Sequence, residues 1–382
     1  MCPSCWDHTF WRTCSLSGGC LDGISWASMS ATETTPLKGS RAGNERMRCR
    51  QGLALAAFAV VAQSPEGALI RAIQGRDVPV NVQLLWCALG KGVVVLCCSA
   101  LSGEARAISR TPLGWRLAAV AWAQGAVCAS VNPYAFMRTT ALEAYGIYYA
   151  YPVFTAALAS IVLHERVRTS TWFALLVALA CVVLLVVAPG RALHPTANAR
   201  VIHKSDGPAD AGILIAGLVL AAYLTASKVA STSAGPERST PMVGLMGVGA
   251  LSIGFLGFLP LTLGAGYSVI DHMDGLSALW VMLYCVCTGL YFWAMSKAAA
   301  LWSPTHVAII ALTDAATGPL FSNIFYPEPT TPLRVVATCV LCLAIVAHEV
   351  YAAREDVNGT SRAAAPEEHV APQSAIRNAA SA

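Results

Sequence analysis

Charged residues are scarce in this chain. Asp, Glu, Lys and Arg together make up 12% of its 382 residues, whereas hydrophobic residues make up 56%. So little charge argues against a protein that keeps most of its surface in water, and it favours a helical bundle in a lipid bilayer. The net charge of +4 is small, and we expect no nucleic-acid partner.

Signatures of enzymes are also absent. The sequence contains no H-E-x-x-H, no G-x-S-x-G, no phosphate-binding loop and no pair of His residues inside its apolar segments. An intramembrane lipid-modifying enzyme normally shows clustered interior His and Asp residues, so that interpretation is the less favoured one. We predict that the protein is not an enzyme.

Long apolar runs are what the chain does have. A bilayer core about 30 Å thick is crossed by roughly 20 helical residues. The runs lack the alternating pattern of barrel strands, so they are predicted to be α-helices of an all-α integral membrane protein. We place ten transmembrane helices near residues 51–73, 80–101, 114–133, 142–163, 170–188, 211–230, 241–263, 276–296, 305–326 and 332–351.

The ten predicted helices form two sets of five. Residues 51–190 hold the first set and residues 211–351 the second, with a loop at 191–210 between them. The terminal segments 1–50 and 352–382 have no sustained hydrophobic periodicity, and they are expected to be disordered.

The distribution of basic residues predicts the orientation. With the N-terminus inside, the inner segments hold 17 Lys and Arg residues and the outer segments hold seven. Because positive loops stay on the cytoplasmic side, we expect both termini in the cytoplasm. The sequence does not specify which membrane the protein occupies.

An internal repeat relates the two sets of helices. Residues 151–168 align with residues 314–331 at a constant offset of 163, and Glu165 coincides with Glu328. Because each set has five helices, the second set enters the membrane upside down relative to the first. Such inverted repeats are typical of secondary transporters, in which the substrate binds near the midplane between the halves.

Short motifs around this repeat resemble those of a known family. They are Tyr134-Ala-Phe-Met-Arg138, Tyr151-Pro-Val-Phe154, Leu163-His-Glu-Arg166, Leu312-Thr-Asp314 and Pro327-Glu-Pro329. On these motifs the chain resembles the EamA-like members of the drug/metabolite transporter superfamily, over roughly residues 51–351. The resemblance implies a ten-helix carrier for small metabolites that holds no cofactor.

Two positions depart from the pattern of that family. His164 stands where the family's Leu-Gly-Glu-Arg loop has glycine, and Ala315 stands where the second-half counterpart of Pro152 would fall.

Polar and ionisable residues inside membrane helices are the candidate functional residues, because they are costly there unless paired or hydrated. The candidates for substrate binding or coupling are Asp314, Tyr151, Lys91, Glu66, Tyr148, Tyr223, Tyr291 and His306. The residues assigned to structure or gating are Glu165, Arg166, Glu328, Pro152 and Pro319. No metal site is expected.

Asp314 is the leading candidate. Gly318 and Pro319 follow it and loosen the helix backbone, where carbonyl groups can meet a ligand. The repeat places Tyr151 at the equivalent position of the fourth helix, so we expect both residues to face one cavity lined by predicted helices 1, 3, 4, 6, 8 and 9. A structural carboxylate locked to a cation is the alternative.

Lys91 and Glu66 are further interior charges. Lys91 lies at a depth similar to that of Asp314, so the sequence fits either a Lys91–Asp314 ion pair or a substrate-binding cation. Glu66 follows Ser64 and Pro65 in the first helix, where it either accepts a proton during transport or lies at the membrane interface.

The expected function is that of a secondary transporter which moves a small metabolite across a membrane by alternating access. Its expected partners are a small-molecule substrate and the lipid bilayer. Coupling to protons or another ion and the formation of a homodimer stay open. A nucleotide-sugar transporter of a secretory membrane is the alternative within transport, and a strongly basic cavity would favour it.

Overall fold

The computed structural model describes residues 37–76, 78–104, 114–139, 141–165, 167–187, 207–234 and 241–325, together with isolated positions between 333 and 347. Every regular element in these ranges is helical. The all-α prediction is therefore confirmed for the described part of the chain.

The described residues form thirteen α-helices and one π-helical segment. The bounds are α1 Leu37–Gln63, α2 Glu66–Gln74, α3 Val80–Leu101, α4 Trp115–Arg138, α5 Ala141–Tyr148, α6 Tyr151–Val162, α7 Thr169–Val187, α8 Gly207–Ala234, α9 Met242–Ser252, the π-helical segment Ile253–Phe258, α10 Leu259–Gly264, α11 Gly275–Leu301, α12 Pro304–Ala311 and α13 Asp314–Phe325.

Six helical stretches among the described residues are long and apolar enough to cross a membrane. They are Met47–Gln74, Val80–Leu101, Ala144–Val162, Gly207–Ser233, Met242–Gly264 and Gly275–Leu301. These stretches coincide with the first, second, fourth, sixth, seventh and eighth predicted spans. The third, fifth and ninth predicted spans are helical as well, and most of the tenth lies outside the described residues.

The N-terminal segment differs from its prediction. Helix α1 begins at Leu37, although the sequence was expected to be disordered up to residue 50. No proline follows Leu37 before Pro65, and Ala, Arg, Glu and Met in this stretch favour a helix. The remaining parts of the predicted tails, residues 1–36 and 352–382, lie outside the described residues.

Three of the predicted spans are interrupted, namely the first, the fourth and the ninth. The first break lies at Ser64 and Pro65, between α1 and α2. The second break lies at Tyr149 and Ala150, between α5 and α6, where Pro152 lacks the N–H that would continue the helix. A break of this kind frees backbone groups inside an otherwise regular span.

The third break, at Leu312 and Thr313 between α12 and α13, occurs without a neighbouring proline. The backbone turns more tightly there, since Thr313 N–H donates to Ile310 O and Ala315 N–H donates to Leu312 O, both at 3.0 Å. The Thr313 hydroxyl also donates to Ile310 O at 2.7 Å. Ala315 stands where the repeat has Pro152. This break is therefore accompanied by a side-chain hydrogen bond instead of a proline.

The second and third broken helices have matching bounds. Each of the four bounds of α5 and α6 recurs 163 residues later in α12 and α13. The two broken helices also lie against each other, with α12 packed on α6 and α13 packed on α5. Since the first segment of each contacts the second segment of the other, they run antiparallel and cross at their breaks.

Helices α4 and α9 approach each other more closely than side chains allow. A Cβ atom placed on Gly125 would overlap the backbone of Met246, and one on Gly249 would overlap the backbone of Trp122. Two glycines on facing helices permit this contact, as small residues do in membrane helix pairs.

The loop after α6 contains a strained residue. His164 has a φ of 52°, in the left-handed region that favours glycine at a helix C-terminus. The family that the sequence resembles has glycine at this position, and the structure supplies the physical reason.

Candidate functional site

Asp314 is the first residue of α13 and is completely buried. Its Oδ2 accepts a hydrogen bond from the hydroxyl of Tyr149. Its Oδ1 lies 3.2 Å from the hydroxyl oxygens of both Ser64 and Thr317. Asp314 therefore joins the second and third helix breaks to the first.

Ser64 has a choice of hydrogen-bond acceptors. Its Oγ lies 2.8 Å from Val60 O, 3.2 Å from Asp314 Oδ1 and 3.0 Å from the Thr317 hydroxyl. One hydroxyl carries one proton, so it cannot donate to both Val60 and Asp314 at once. The network consequently has one arrangement that suits an ionised Asp314 and another that suits a protonated one.

Glu66 lies on the other side of the first break. It is 1% exposed, which places it inside the bundle rather than at its surface. Its Oε2 accepts a hydrogen bond from the Gln63 amide, and its Oε1 accepts one from the Tyr284 hydroxyl at 3.1 Å. The two buried carboxyl groups thus flank the Ser64-Pro65 break.

Lys91 belongs to the Glu66 side of this site. Its Nζ donates to Cys128 O at 3.0 Å and lies 4.5 Å from the centre of the Tyr284 ring. Tyr284 in turn binds Glu66, and Lys91 attracts that carboxylate electrostatically. No ion pair joins Lys91 to Asp314 within the described residues, so the pairing that the sequence allowed is wrong.

A group of tyrosines surrounds the second break. The rings of Tyr148, Tyr149 and Tyr151 lie pairwise 5.5 to 5.8 Å apart between centres. Tyr145 stacks on Tyr149 at 5.9 Å, and its hydroxyl accepts a hydrogen bond from Gly67 N–H at 3.2 Å. These aromatic rings form one wall, which contacts Asp314 through the Tyr149 hydroxyl.

Three tyrosine hydroxyl groups in this wall and beside it are buried without hydrogen-bond partners among the described residues. They are those of Tyr148, Tyr151 and Tyr291. The Tyr148 hydroxyl lies close to Asn132 and the Tyr151 hydroxyl close to Tyr291, but neither pair has hydrogen-bond geometry. Buried polar groups normally find a partner, so these hydroxyls are available to a polar ligand.

The remaining predicted residues that the structure describes form no hydrogen bond with Asp314. Tyr223 donates to Ser296 Oγ at 3.0 Å between α8 and α11. His306 stacks on Trp302 at the start of α12, and Glu165 accepts a hydrogen bond from Ser303 at 2.9 Å. Pro152 lies in the first turn of α6 and Pro319 lies inside α13. Arg166 and Glu328 lie outside the described residues.

A second charged cluster joins α3, α9 and α11 at one end of the bundle. Lys297 forms an ion pair with Glu104, which is 2% exposed. Ser99 and the backbone N–H of Val243 also donate to this carboxyl group. Burial nevertheless raises the pKa of Glu104, because these partners offset its desolvation only in part. We assign Glu104 to structure.

Sequence reasoning missed Tyr149, Tyr284, Ser64 and Thr317 as members of the site. A signal for Tyr284 exists, because it lies seven residues before Tyr291 and therefore on the same helix face. The offset of 163 residues pointed to Tyr151, whereas the contact to Asp314 comes from a residue within the break itself.

The comparisons with known proteins agree with this architecture. Residues 50–187 match the EamA-like transporter family, which confirms the resemblance over the first set of helices. One solved crystal structure of a protein is similar to this chain, with a TM-score of 0.56 and 14% sequence identity. The similarity covers 79% of this chain and 98% of the chain in that structure. At that identity the likeness shows the fold alone. A comparison with curated proteins gives no match.

The apolar helices and the family match together identify an integral, multi-pass membrane protein. The matched family consists of transporters, and it suggests a membrane transporter of small molecules rather than an enzyme.

Proposed function

We propose that this protein is a secondary transporter that moves a small metabolite by alternating access, with Asp314 in its binding or coupling site. The observation that carries the proposal is the convergence of three helix breaks on one buried carboxyl group. Broken membrane helices are tolerated where their freed backbone lines a cavity or a ligand site.

The proposed architecture has ten spans in two inverted repeats. The matching bounds of the two broken helices and their antiparallel crossing support it. Two segments related in this way can exchange environments when the halves rock, which opens the site to each side of the membrane in turn. The carboxyl group of Asp314 lies at that crossing.

The charges at the site bear on the choice of substrate. A nucleotide sugar carries a diphosphate that needs cationic partners. Lys91 is the buried cation that the described residues place at this site, against the two carboxyl groups of Glu66 and Asp314. This balance supports a neutral or cationic metabolite over a nucleotide sugar.

Transport by the purified protein in proteoliposomes tests the proposal. A screen for compounds that raise the melting temperature identifies the substrate, since a ligand that binds the native state stabilises it. Asp314→Asn should abolish uptake or sharply reduce it, while the protein retains its yield and its elution volume. If Asp314 carries only the coupling proton, this variant should keep substrate exchange and lose accumulation driven by a pH gradient.

The matched control is Asp274→Asn, the same change at an exposed carboxylate. Asp274 caps α11 through Ser277 N–H at 2.8 Å, and asparagine caps a helix equally well. Its ion pair with Arg76 is exposed and worth little. Wild-type uptake and wild-type pH dependence in a folded Asp314→Asn protein would contradict the proposed site.

The proposed orientation has both termini in the cytoplasm. In intact cells that place the protein in the plasma membrane, an impermeant thiol reagent should label Ala197→Cys in a cysteine-free background. It should not label Ala380→Cys. The opposite pattern would reverse the orientation.

A further inference from the structure

We infer that the transported metabolite is an organic amine, whose ammonium group binds the Asp314 carboxylate in exchange for a proton. The inference rests on the proposed function and names the substrate class for the same site. Four features carry it: the balance of charge, the position of the lysine, the hydroxyl network and the aromatic wall.

The balance of charge at the site is negative. The described buried ionisable residues between the ends of the bundle are Glu66, Asp314 and Lys91, while Glu104 has Lys297 as its own partner. If both carboxyl groups at the site ionise, one negative charge has no internal counterpart. An uncompensated charge inside a membrane protein is costly, so the site takes up one positive charge from outside.

The lysine does not supply that charge to Asp314. Lys91 interacts with Tyr284 and attracts Glu66, whereas the hydrogen-bond partners of Asp314 are the hydroxyls of Tyr149, Ser64 and Thr317. A hydroxyl stabilises a carboxylate but does not neutralise it. Asp314 is therefore the carboxyl group that receives either a proton or a cation.

The surrounding titratable groups do not change this assignment. Around Asp314 they are Glu66 from α2, Tyr145, Tyr149 and Tyr151 from the second break and its flanking helices, Tyr291 from α11, and Lys91 beyond Glu66. Helix α2 also carries Arg71, whose guanidinium donates to Thr139 O at 2.7 Å and to Gln74 Oε1 at 2.8 Å. Glu66 adds negative potential at Asp314, and neutral tyrosines add no charge. Both effects favour occupation of the site by a positive group.

The hydroxyl network permits both states of Asp314. With Asp314 ionised, Tyr149 and either Ser64 or Thr317 donate to its two oxygens. With Asp314 protonated, Oδ1 donates to Ser64 Oγ, and Ser64 donates onward to Val60 O. No buried hydroxyl of this network loses its partner when the proton leaves, so the exchange needs only rotations of hydroxyl groups.

The aromatic wall selects the kind of cation. Ring faces attract cations and repel anions. Tyr149 binds Asp314, Tyr151 interacts with it electrostatically, and the ring of Tyr148 packs against both of these rings. The unpartnered hydroxyls of Tyr148, Tyr151 and Tyr291 can accept hydrogen bonds from ammonium N–H groups. An ammonium group attached to an apolar body fits this combination of a carboxylate, phenol oxygens and ring surface.

The exchange step balances in charge and protons. Protonated Asp314 releases its proton to water, and the protonated amine R–NH₃⁺ forms an ion pair with the carboxylate. No covalent bond to carbon or nitrogen changes. Because one carboxylate cannot hold both partners, a proton gradient in one direction drives the amine in the other.

Binding and proton release by the full-length purified protein test this inference. The probes are phenethylamine, uncharged 2-phenylethanol and anionic 3-phenylpropionate, which share one aromatic body. Phenethylamine should bind and release about one proton per site into weakly buffered solution. Its apparent Kd should rise about tenfold per unit as the pH falls through the range in which Asp314 is protonated. The other two probes should bind at least about tenfold more weakly.

Variants test whether the released proton comes from Asp314. Asp314→Asn should lose both phenethylamine binding and proton release, and Asp274→Asn should keep both. If Asp314→Asn does not fold, Tyr149→Phe supplies the second readout. Loss of a donor to the carboxylate should move the midpoint of the binding profile to higher pH.

Several outcomes would overturn the inference. They are equal or tighter binding of 3-phenylpropionate, phenethylamine binding that releases no proton at any pH, and no binding of phenethylamine or of other amines from methylamine to phenylbutylamine. Uptake of a substrate that is not an amine, abolished by Asp314→Asn, would overturn the inference and leave the proposed function intact. Amine binding without any transport would overturn the proposed function and, with it, the inference that the amine is the transported metabolite.

Discussion

The Tyr149 hydroxyl donates a hydrogen bond to the Asp314 carboxyl group across the crossing of two broken helices. Tyr149 lies in the break between α5 and α6, and Asp314 directly follows the break between α12 and α13. Each break positions one partner, so the bond ties together the two places where the backbone is least regular.

This bond predicts an order of effects among the tyrosines. Tyr149→Phe removes a donor to a buried carboxyl group, a loss of about 1.5–3 kcal/mol for a hydrogen bond to a charged group. We expect substrate uptake to fall by roughly 10- to 100-fold. Tyr151→Phe removes an unpartnered hydroxyl and should reduce uptake less. Initial uptake rates at equal protein density measure both, and a larger effect of Tyr151→Phe would contradict the assignment.

Lys91 should couple energetically to Glu66 and not to Asp314. Lys91→Met leaves Glu66 without its cation and should destabilise the protein, whereas adding Glu66→Gln should recover part of the loss. We expect a coupling of roughly 0.5–3 kcal/mol for this pair and less than about 0.5 kcal/mol for Lys91 with Asp314. The free energies of unfolding of the single and double variants in detergent give both coupling energies. Strong coupling of Lys91 to Asp314 would contradict this prediction, because it would indicate an ion pair between these two residues.

His164→Gly should stabilise the protein. A residue other than glycine pays about 1 kcal/mol for the left-handed conformation, although glycine also gains entropy in the unfolded chain. We therefore expect a net gain of roughly 0.5 kcal/mol, seen as a small rise in melting temperature, with unchanged transport. Ala265→Gly introduces glycine at an exposed residue after α10 whose φ is −81°, and it should give no such gain.

Gly249→Ala should destabilise the crossing of α4 and α9. The added methyl group would overlap the Trp122 backbone, so the helices must separate, at a cost of about 1–3 kcal/mol or more. Gly264→Ala is the matched control, because nothing lies within 4 Å of its added methyl group. Equal melting temperatures for the two variants would show that the crossing is looser than the structure indicates.

The amino-acid sequence by itself determined the class of this protein. Apolar runs of membrane-spanning length that lack the alternating pattern of barrel strands must be helices, because only helices and closed barrels satisfy the backbone in lipid. The same sequence contains the internal repeat that relates the two broken helices at an offset of 163 residues, but it did not predict the breaks themselves. The apolar runs also identified Glu66, Lys91 and Asp314, because ionisable residues stand out in apolar segments.

Only the tertiary structure decided which of these residues meet. The sequence predicts that Lys91 and Asp314 lie at a similar depth in the membrane, yet Lys91 contacts Cys128 and Tyr284. Tyr151 occupies the repeat position of Asp314, yet Tyr149 makes the contact. Depth and repeat position are properties of one helix at a time, whereas a contact also depends on the rotation of each helix and on the crossing between helices. Packing sets both, through close approaches such as those of Gly125 and Gly249.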